Sequence, residues 1–455
     1  MIASRFLCWL SAVPLMAAVS SWSLPAAQTE PLPNILLIVA DDLGYGELGC
    51  QGNPEVPTPH IDSLATNGVR FTDGYVTAPV CTPSRAGLIT GRYQQRFGHE
   101  LNAIGKQNLA ENVGLPLSQK TLADYLKAAG YATGIIGKWH LGGTSKFHPQ
   151  KRGFDEFFGF LHEGHFYTPP PYRGVYSRFR PTEPPYDADN PLLRGAEPVE
   201  EPDYLTTAFT REAAAFIDRH KHKPFFLYLP YNAVHSPMQA PVKEVERFKN
   251  IAGPHRAIFA GMLKALDDGV GAVLAKLRKN SLEDRTLIFF LSDNGGPTAE
   301  LTSSNLPLSG GKGQLREGGI REPFLVQWKG HLPAGKVYRQ PVISLDIAAT
   351  VLAAAGIENP TQSELDGVNL LPFLTGEVTH PPHANLFWRY GAQAAMRRGD
   401  WKLLRRGNGS WQLFNLANDL EEKNDLSTHE PALVKSLAAA WDDWNRQLVP
   451  PLWGK

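Results

Sequence analysis

The sequence predicts an α/β sandwich around a large, mostly parallel sheet, and three observations carry that expectation. Four short runs, 34–40, 132–136, 225–229 and 287–291, are almost wholly apolar. Apolar runs of strand length without alternation suit strands covered on both faces. Helical periodicity lies between them, over 59–67, 121–129, 206–220, about 256–278 and 344–355, where Gly356 supplies a stop signal. Strands alternating with helices imply crossover connections and hence a parallel sheet.

Two regions depart from this rhythm. Residues 162–204 are dense in Pro, Tyr and Arg and lack periodicity, which predicts a long ordered excursion over one face of the sheet. Beyond about 380 the runs 386–390, 394–398, 401–405 and 411–416 read as short antiparallel strands, followed by a helix over about 431–448. The expected organisation is a main domain over 28–380 and a smaller C-terminal α+β subdomain with an antiparallel sheet over 381–455.

The first 27 residues read as a signal peptide. Arg5 provides a positive start, 6–19 is apolar but short for a bilayer span, and 21–28 is small and polar. An N-terminal anchor is the competing reading. The expectation is export to the periplasm or beyond, with no stable membrane span. Lys+Arg and Asp+Glu both number 45, so the formal charge is zero, which argues against a bulk electrostatic nucleic-acid binder. Any anion site must come from local clustering. Of three cysteines, Cys8 falls in the leader, leaving Cys50 and Cys81. A disulfide between them is the ordinary outcome in an exported chain, and it would remove Cys81 from any chemistry.

Chemistry-bearing residues follow the apolar runs. Asp41-Asp42 comes after the first, and Asp293-Asn294-Gly295-Gly296 after the last. Ligand sites in open α/β sheets lie at the carboxyl ends of strands. Three carboxylates and an amide oxygen suit a hard cation such as Ca2+ or Mg2+. Either group alone reads equally well as a solvated turn; both together favour a metal site. Gly137-Lys138-Trp139-His140 follows the run 132–136, and in an extended segment Lys138 and His140 would point to one side. His235, in Asn232-Ala233-Val234-His235-Ser236-Pro237, follows the run 225–229. Lys312 sits in the glycine-rich loop Gly310-Gly311-Lys312-Gly313, which continues as Arg316-Glu317-Gly318-Gly319-Ile320-Arg321-Glu322-Pro323. Taken singly, each Lys and His reads as a surface residue. Together with a metal on the acidic groups as Lewis acid, they provide cations for an anionic ester and a proton donor for a poor leaving oxygen.

Cys81-Thr82-Pro83-Ser84-Arg85 precedes the helical run 86–93 and resembles the C-x-P-S-R signature of the type I, formylglycine-dependent sulfatases. These are the arylsulfatase-like members of the alkaline phosphatase superfamily. The resemblance extends in family order along nearly the whole mature chain. It implies an alkaline-phosphatase-like sandwich with 28–380 as the catalytic domain. It implies that a formylglycine-generating or sulfatase-maturating enzyme oxidises Cys81 to formylglycine, whose hydrated aldehyde is the nucleophile. One Ca2+ would be held by Asp41, Asp42, Asp293, Asn294 and the modified residue 81. Arg85 would hold the hydrate, Lys138 and Lys312 would bind sulfate oxygens, and His140 would take the proton that lets the sulfated hemiacetal expel sulfate. His235 would bind sulfate and assist the leaving group, and Asp293 would aid nucleophile activation. The sequence departs from the family pattern twice. No residue of 160–167 clearly fills the extra sulfate-contacting role, for which His165 is the candidate. Glu322 stands where Val is common, with an expected effect on packing only.

The resemblance points to a sulfated carbohydrate as substrate, with His165, Arg173, Arg389 and Gln393, alongside His162 and Tyr167, as candidate sugar contacts. A phosphonate or phosphate monoester hydrolase on the same scaffold is the alternative activity. A non-catalytic carbohydrate-binding relative is the alternative from another class, opposed by the intact set of Asp, Asn, Lys, His and Arg.

Overall fold

The computed structural model describes residues 1, 2, 7, 32–357 and 365–454. The predicted leader over 1–27 therefore lies almost entirely outside the described residues. Residues Leu32–Lys455 form one compact unit. It is organised by a ten-stranded mixed sheet. Its centre is five parallel neighbours in the order Thr286–Ser292, Asn34–Ala40, Phe225–Pro230, Ala132–Lys138 and Glu156–Phe160. Four of these were expected from their apolar runs. The fifth is short, and the flanking strands Phe324–Gln327 and Val69–Phe71, which join antiparallel, are shorter still.

Alternate residues of the strand Asn34–Ala40 enter opposite cores. Ile35, Leu37 and Val39 pack with the helices Cys81–Thr90, Leu122–Ala128 and Leu345–Ala354. Leu36, Ile38 and Ala40 pack with Pro59–Thr66, Leu205–His220 and Pro254–Lys279. This is why the run lacks alternation: both faces are dry, and each buried aliphatic side chain contributes about 1.5–3 kcal/mol. The excursion 162–204 is largely irregular, and its strand Val175–Arg178 pairs antiparallel with Met238–Pro241. Among the described residues no helix is long and apolar enough to cross a membrane. Cys50 and Cys81 are both free thiols, so the disulfide reading does not hold.

The strands Leu386–Tyr390, Gln393–Arg398, Trp401–Arg405 and Gln412–Asn415 form a separate antiparallel sheet, followed by the helix Pro431–Asn445. The small sheet is tied to the large one through buried charge. Lys402 Nζ lies 2.8 Å from Glu317 and 3.0 Å from Glu422. Arg397 reaches Asp73 at 2.6 Å, and the Tyr75 hydroxyl donates to Glu317 at 2.6 Å. Burial alone would push the Glu317 carboxyl up, but Lys402, Arg321 and Arg397 outweigh it and hold it at about 2. A depressed carboxylate contributes stability that is present above its unfolded value of 4.5 and is lost as pH falls toward about 2. Glu317→Gln should therefore cost about 3 kcal/mol near neutrality, because Lys402 loses a buried partner. Urea unfolding at pH 7 and pH 3 should show that deficit shrinking in acid. An equal deficit at both values would mean that the carboxylate charge is not what stabilises the junction.

Candidate active site

Four adjacent parallel strands deliver the candidate residues to one edge of the sheet. Asp293 and Asn294 follow Thr286–Ser292, Asp41 and Asp42 follow Asn34–Ala40, His235 follows Phe225–Pro230, and Lys138 ends Ala132–Lys138. Cys81 opens the helix Cys81–Thr90, all ten residues of which are buried. The turn after Asn294 needs glycine, because a Cβ on Gly295 would lie 1.9 Å from the Gly318 carbonyl oxygen. That close approach seats the Lys312 loop against the acidic turn. Gly310, at φ +77°, opens the loop with a left-handed residue.

The charged groups meet directly. Lys138 Nζ is 2.6 Å from Asp41 Oδ2, and Lys312 Nζ is 2.8 Å from Asp42 Oδ2. Arg85 pairs with Asp293 Oδ2 at 2.7 Å through Nη2 and 2.9 Å through Nε, lies 3.5 Å from Asp41 and donates to the Lys138 carbonyl at 3.2 Å. Cys81 Sγ lies 3.5 Å from Asp41 Oδ1, and His235 Nε2 lies 3.6 Å from Asp42. Arg85, Lys138, Asp41 and Asp293 are essentially inaccessible to solvent. Burial pushes the Asp41 and Asp42 carboxyls up, but Lys138 beside the first and Lys312 beside the second outweigh it, with His235 assisting at both, and hold them below the usual range. Asp293 goes the other way, since burial and the Asp41 charge outweigh Arg85. Burial pushes the Cys81 thiol far up, so the unconverted thiol is a poor nucleophile.

Both histidines have one nitrogen committed. His235 Nδ1 donates to the Ser236 carbonyl at 2.6 Å, which leaves Nε2 facing Asp42. His140 Nε2 donates to the Ala103 carbonyl at 2.7 Å, while its buried Nδ1 has no hydrogen-bond partner. Burial, with Lys138 adding to it, drives the His140 imidazolium well below its ordinary pKa, so the ring is a neutral acceptor at Nδ1. One expectation about this residue is corrected. His140 is not extended: it sits at φ +57°, turned out of the strand after Lys138. The turn, rather than strand alternation, brings it beside Lys138.

The candidate sugar contacts are scattered. His165 Nδ1 is 2.8 Å from the Phe166 carbonyl and 3.2 Å from Asp187, and its ring lies against Phe160. Arg173 is exposed on the excursion. His162 is buried and donates its backbone N–H to Asn190 Oδ1 at 3.2 Å. Three candidates already hold internal partners. Arg389 is committed to Glu100 at 2.6 Å, Asn445 at 2.8 Å and the Val449 carbonyl at 2.7 Å. Gln393 spends its amide on the backbone of the Lys312 loop. Tyr167 is fully buried, and its hydroxyl donates to the Asn232 and His235 carbonyls at 2.7 and 2.8 Å, supporting the His235 turn from below. A two-residue stretch of sequence shows none of these commitments.

Two neighbours were missed or misread. Tyr390, on the small sheet, lies close enough to Lys312 for its charge to act on the hydroxyl, and it neighbours Cys81. Glu322 stands opposite Asp293 in the continuation of the antiparallel pair Leu291–Phe324. It is buried, with both carboxyl oxygens unpartnered. Burial and the nearby Asp293 and Asp42 charges push its carboxyl well above the usual range, so it is neutral. Its position beside the acidic turn goes beyond the packing role expected of it.

The donor set fits a hard divalent cation. Asp41, Asp42, Cys81 and His235 offer ligand atoms within 4.8 Å of one another. Asn294 Nδ2 donates to Asp42 Oδ1 at 2.7 Å, and its own Oδ1 is buried and unpartnered, a further oxygen able to act as a donor. Carboxylate and amide oxygens favour Ca2+ or Mg2+ over softer metals. Three carboxylates facing three cations balance, so a divalent ion would leave the site positive, as an anionic ester requires.

Fold and site together define a hydrolase of anionic esters. Comparison with known proteins narrows the class. Residues 33–357 match the sulfatase family model, and 311–439 match the model of the N-sulphoglucosamine sulphohydrolase C-terminal region. The chain is 35% identical over 437 residues to N-acetylgalactosamine-6-sulfatase of Sus scrofa, covering 91% of this chain and 80% of that protein. It is 37% identical over 440 residues to arylsulfatase A of Bos taurus, covering 92% and 84%. The solved structure of Ps i-CgsB in complex with k-i-k-neocarrahexaose superposes with a TM-score of 0.85 at 40% identity, covering 93% of this chain and 94% of that one. The chain belongs to the sulfatase family, within the alkaline phosphatase superfamily, and is a sulfuric ester hydrolase.

Proposed function

We propose that the protein is an exported sulfatase that removes sulfate from a carbohydrate, using a formylglycine made from Cys81 and a bound Ca2+. The observation that carries the reading is the direct contact of Asp41, Asp42, Asp293, Arg85, Lys138, Lys312 and His235 around Cys81. Support for a carbohydrate comes from the names of the similar proteins, which include an N-acetylgalactosamine sulfatase and a structure holding a neocarrahexaose. Support for export comes from the order of positive, apolar and small residues over 1–27. The same proposal takes 28–380 as the catalytic domain and 381–455 as a subdomain that closes one side of the site.

The residues divide the work as follows. Asp41, Asp42, Asp293 and Asn294 would hold the cation with residue 81. The hydrated aldehyde would supply the nucleophilic oxygen, and the bound cation would supply Lewis acidity. Arg85 orients residue 81 while tied to Asp293 and Asp41, and the start of the helix adds favourable dipole for negative charge. Lys138 and Lys312 bind the non-bridging sulfate oxygens, and His235 Nε2 delivers a proton to the leaving oxygen. His140 Nδ1, neutral and unpartnered, takes the proton whose loss lets sulfate depart. Asp293 helps to activate the attacking hydroxyl.

A panel of sulfated mono- and oligosaccharides, run beside phosphate and phosphonate monoesters, tests the reading. Sulfate release from a sugar is the expected result. Preference for a phosphonate or phosphate ester would overturn it in favour of the other hydrolase on this scaffold. Chelation should remove activity by about 100-fold or more, and Ca2+ should restore it, with one ion bound per chain by elemental analysis. Full activity in protein free of divalent metal would exclude the assigned role of the acidic cluster.

A further inference from the structure

The Lys312 loop is held from outside by the small C-terminal sheet, and we propose that Gln393 and Glu422 are positioning residues that set where Lys312 stands. The proposal rests on the reading of Lys312 as a partner of the sulfate oxygens.

The loop cannot hold its own shape. It carries glycines at 310, 311 and 313, has no helix or strand between 302 and 316, and so would sample many conformations in isolation. Its base is closed by the Gly318 N–H donating to the Ser309 carbonyl at 2.8 Å, and its tip touches the Pro79 carbonyl through the Gly313 N–H at 2.8 Å. Inside it, Asn305 Nδ2 donates to the Gly310 carbonyl and the Gln314 N–H to the Gly311 carbonyl, each at 3.1 Å. Further anchors come from the C-terminal region. Gln393 brackets the tip: its Nε2 donates to the Gly313 carbonyl at 2.8 Å, and its Oε1 accepts from the Leu315 N–H at 3.1 Å. Glu422 brackets the base: one oxygen accepts from Ser309 Oγ at 2.6 Å and from the Glu317 N–H at 2.8 Å. Arg316 adds a bond to the Glu422 carbonyl at 2.9 Å.

Both brackets are themselves rigid. Gln393 opens a strand paired to Leu386–Tyr390. Glu422 is 2% exposed, and its charge is met by the buried Lys402 at 3.0 Å. Lys312 therefore stands between two pairs of hydrogen bonds, while its own ammonium is paired with Asp42 at 2.8 Å. The ammonium must shift between Asp42 and an incoming sulfate oxygen, so the brackets fix the backbone and leave the head group free to respond. A small displacement of a cation from the developing charge is costly to rate.

Gln393→Met keeps length and volume but removes both bonds. Hydrogen exchange at the Leu315 amide should quicken about 10-fold, and kcat/KM for a sulfate ester should fall about 10-fold, the equivalent of one to two neutral hydrogen bonds. Thermal stability should change by no more than a few degrees. In a Lys312→Ala background the same substitution should cost less than about twofold, because its effect passes through Lys312. Glu422→Gln, which keeps the shape of the base bracket but takes a buried counter-charge from Lys402, should show a smaller loss of kcat/KM that likewise shrinks without Lys312, together with a loss of stability. Unchanged exchange at Leu315, or an equal fold-loss with and without Lys312, would overturn the proposal. An unimpaired Lys312→Ala enzyme would overturn the reading of Lys312 itself. Exchange at Leu315 does not depend on turnover and tells that failure apart from a failed bracket.

Discussion

Cys81→Ala should lose turnover by about 1,000-fold or more while folding as the parent does. The side chain is small and buried, so its truncation costs about 1–2 kcal/mol of core packing and strands no hydrogen bond that the helix needs. The chemical loss is of another order, because no other group in the cluster can replace it. Asp41, Asp42 and Asp293 are engaged by Lys138, Lys312 and Arg85. The thiol itself is held protonated by burial. Mass spectrometry across residues 81–85 should find the aldehyde, lighter than cysteine, in active protein. Activity within tenfold of the parent in Cys81→Ala, or an unmodified thiol in fully active enzyme, would sink the formylglycine assignment. Material from a host lacking the maturation enzyme should fold, keep its thiol and be inactive.

Arg85→Met should be the most destabilising single change in the site. The guanidinium is buried between Asp293 and Asp41 and also satisfies the Lys138 carbonyl, so it neutralises two carboxylates that water does not reach. Removing one partner of a buried ionic group costs about 3–5 kcal/mol, because the remaining charge has neither solvent nor counterion. A divalent cation on the same carboxylates would offset part of that cost. The deficit measured by urea unfolding should therefore be larger in chelator than in excess Ca2+. A deficit below about 1 kcal/mol in chelator would show that Asp41 and Asp293 relax to solvent or protonate freely, and that Arg85 does not hold the pair.

Much of the fold was legible because its central strands are dry on both faces. The runs at 34–40 and 287–291 could not be exposed on either side, so they had to be interior strands, and Asp41-Asp42 and Asp293-Asn294 had to fall at their ends. The C-terminal strands were readable from their short, spaced apolar runs. The edge strands were not, since a three-residue segment such as Val69–Phe71 carries too little pattern to distinguish it from a loop. The candidate cations and carboxylates converge because each follows its own strand, and local sequence sets that. The internal partners of Arg389, Gln393 and Tyr167 were not legible for the opposite reason. An exposed-looking Arg or Gln becomes a ligand contact or an internal strut according to what packs over it. Glu100 lies 289 positions from Arg389, and Gly313 lies 80 from Gln393.

What the sequence by itself determined is the order of chemical groups along the chain and the strands that carry them, since burial and backbone hydrogen bonding are dictated by local composition. Tertiary structure alone decided which of those groups face one another. It turned His140 out of its strand, left Glu322 unpaired beside Asp293, kept Cys50 away from Cys81 and set a second sheet against the Lys312 loop. Those outcomes depend on long-range contacts, whose free energy no short window of residues contains.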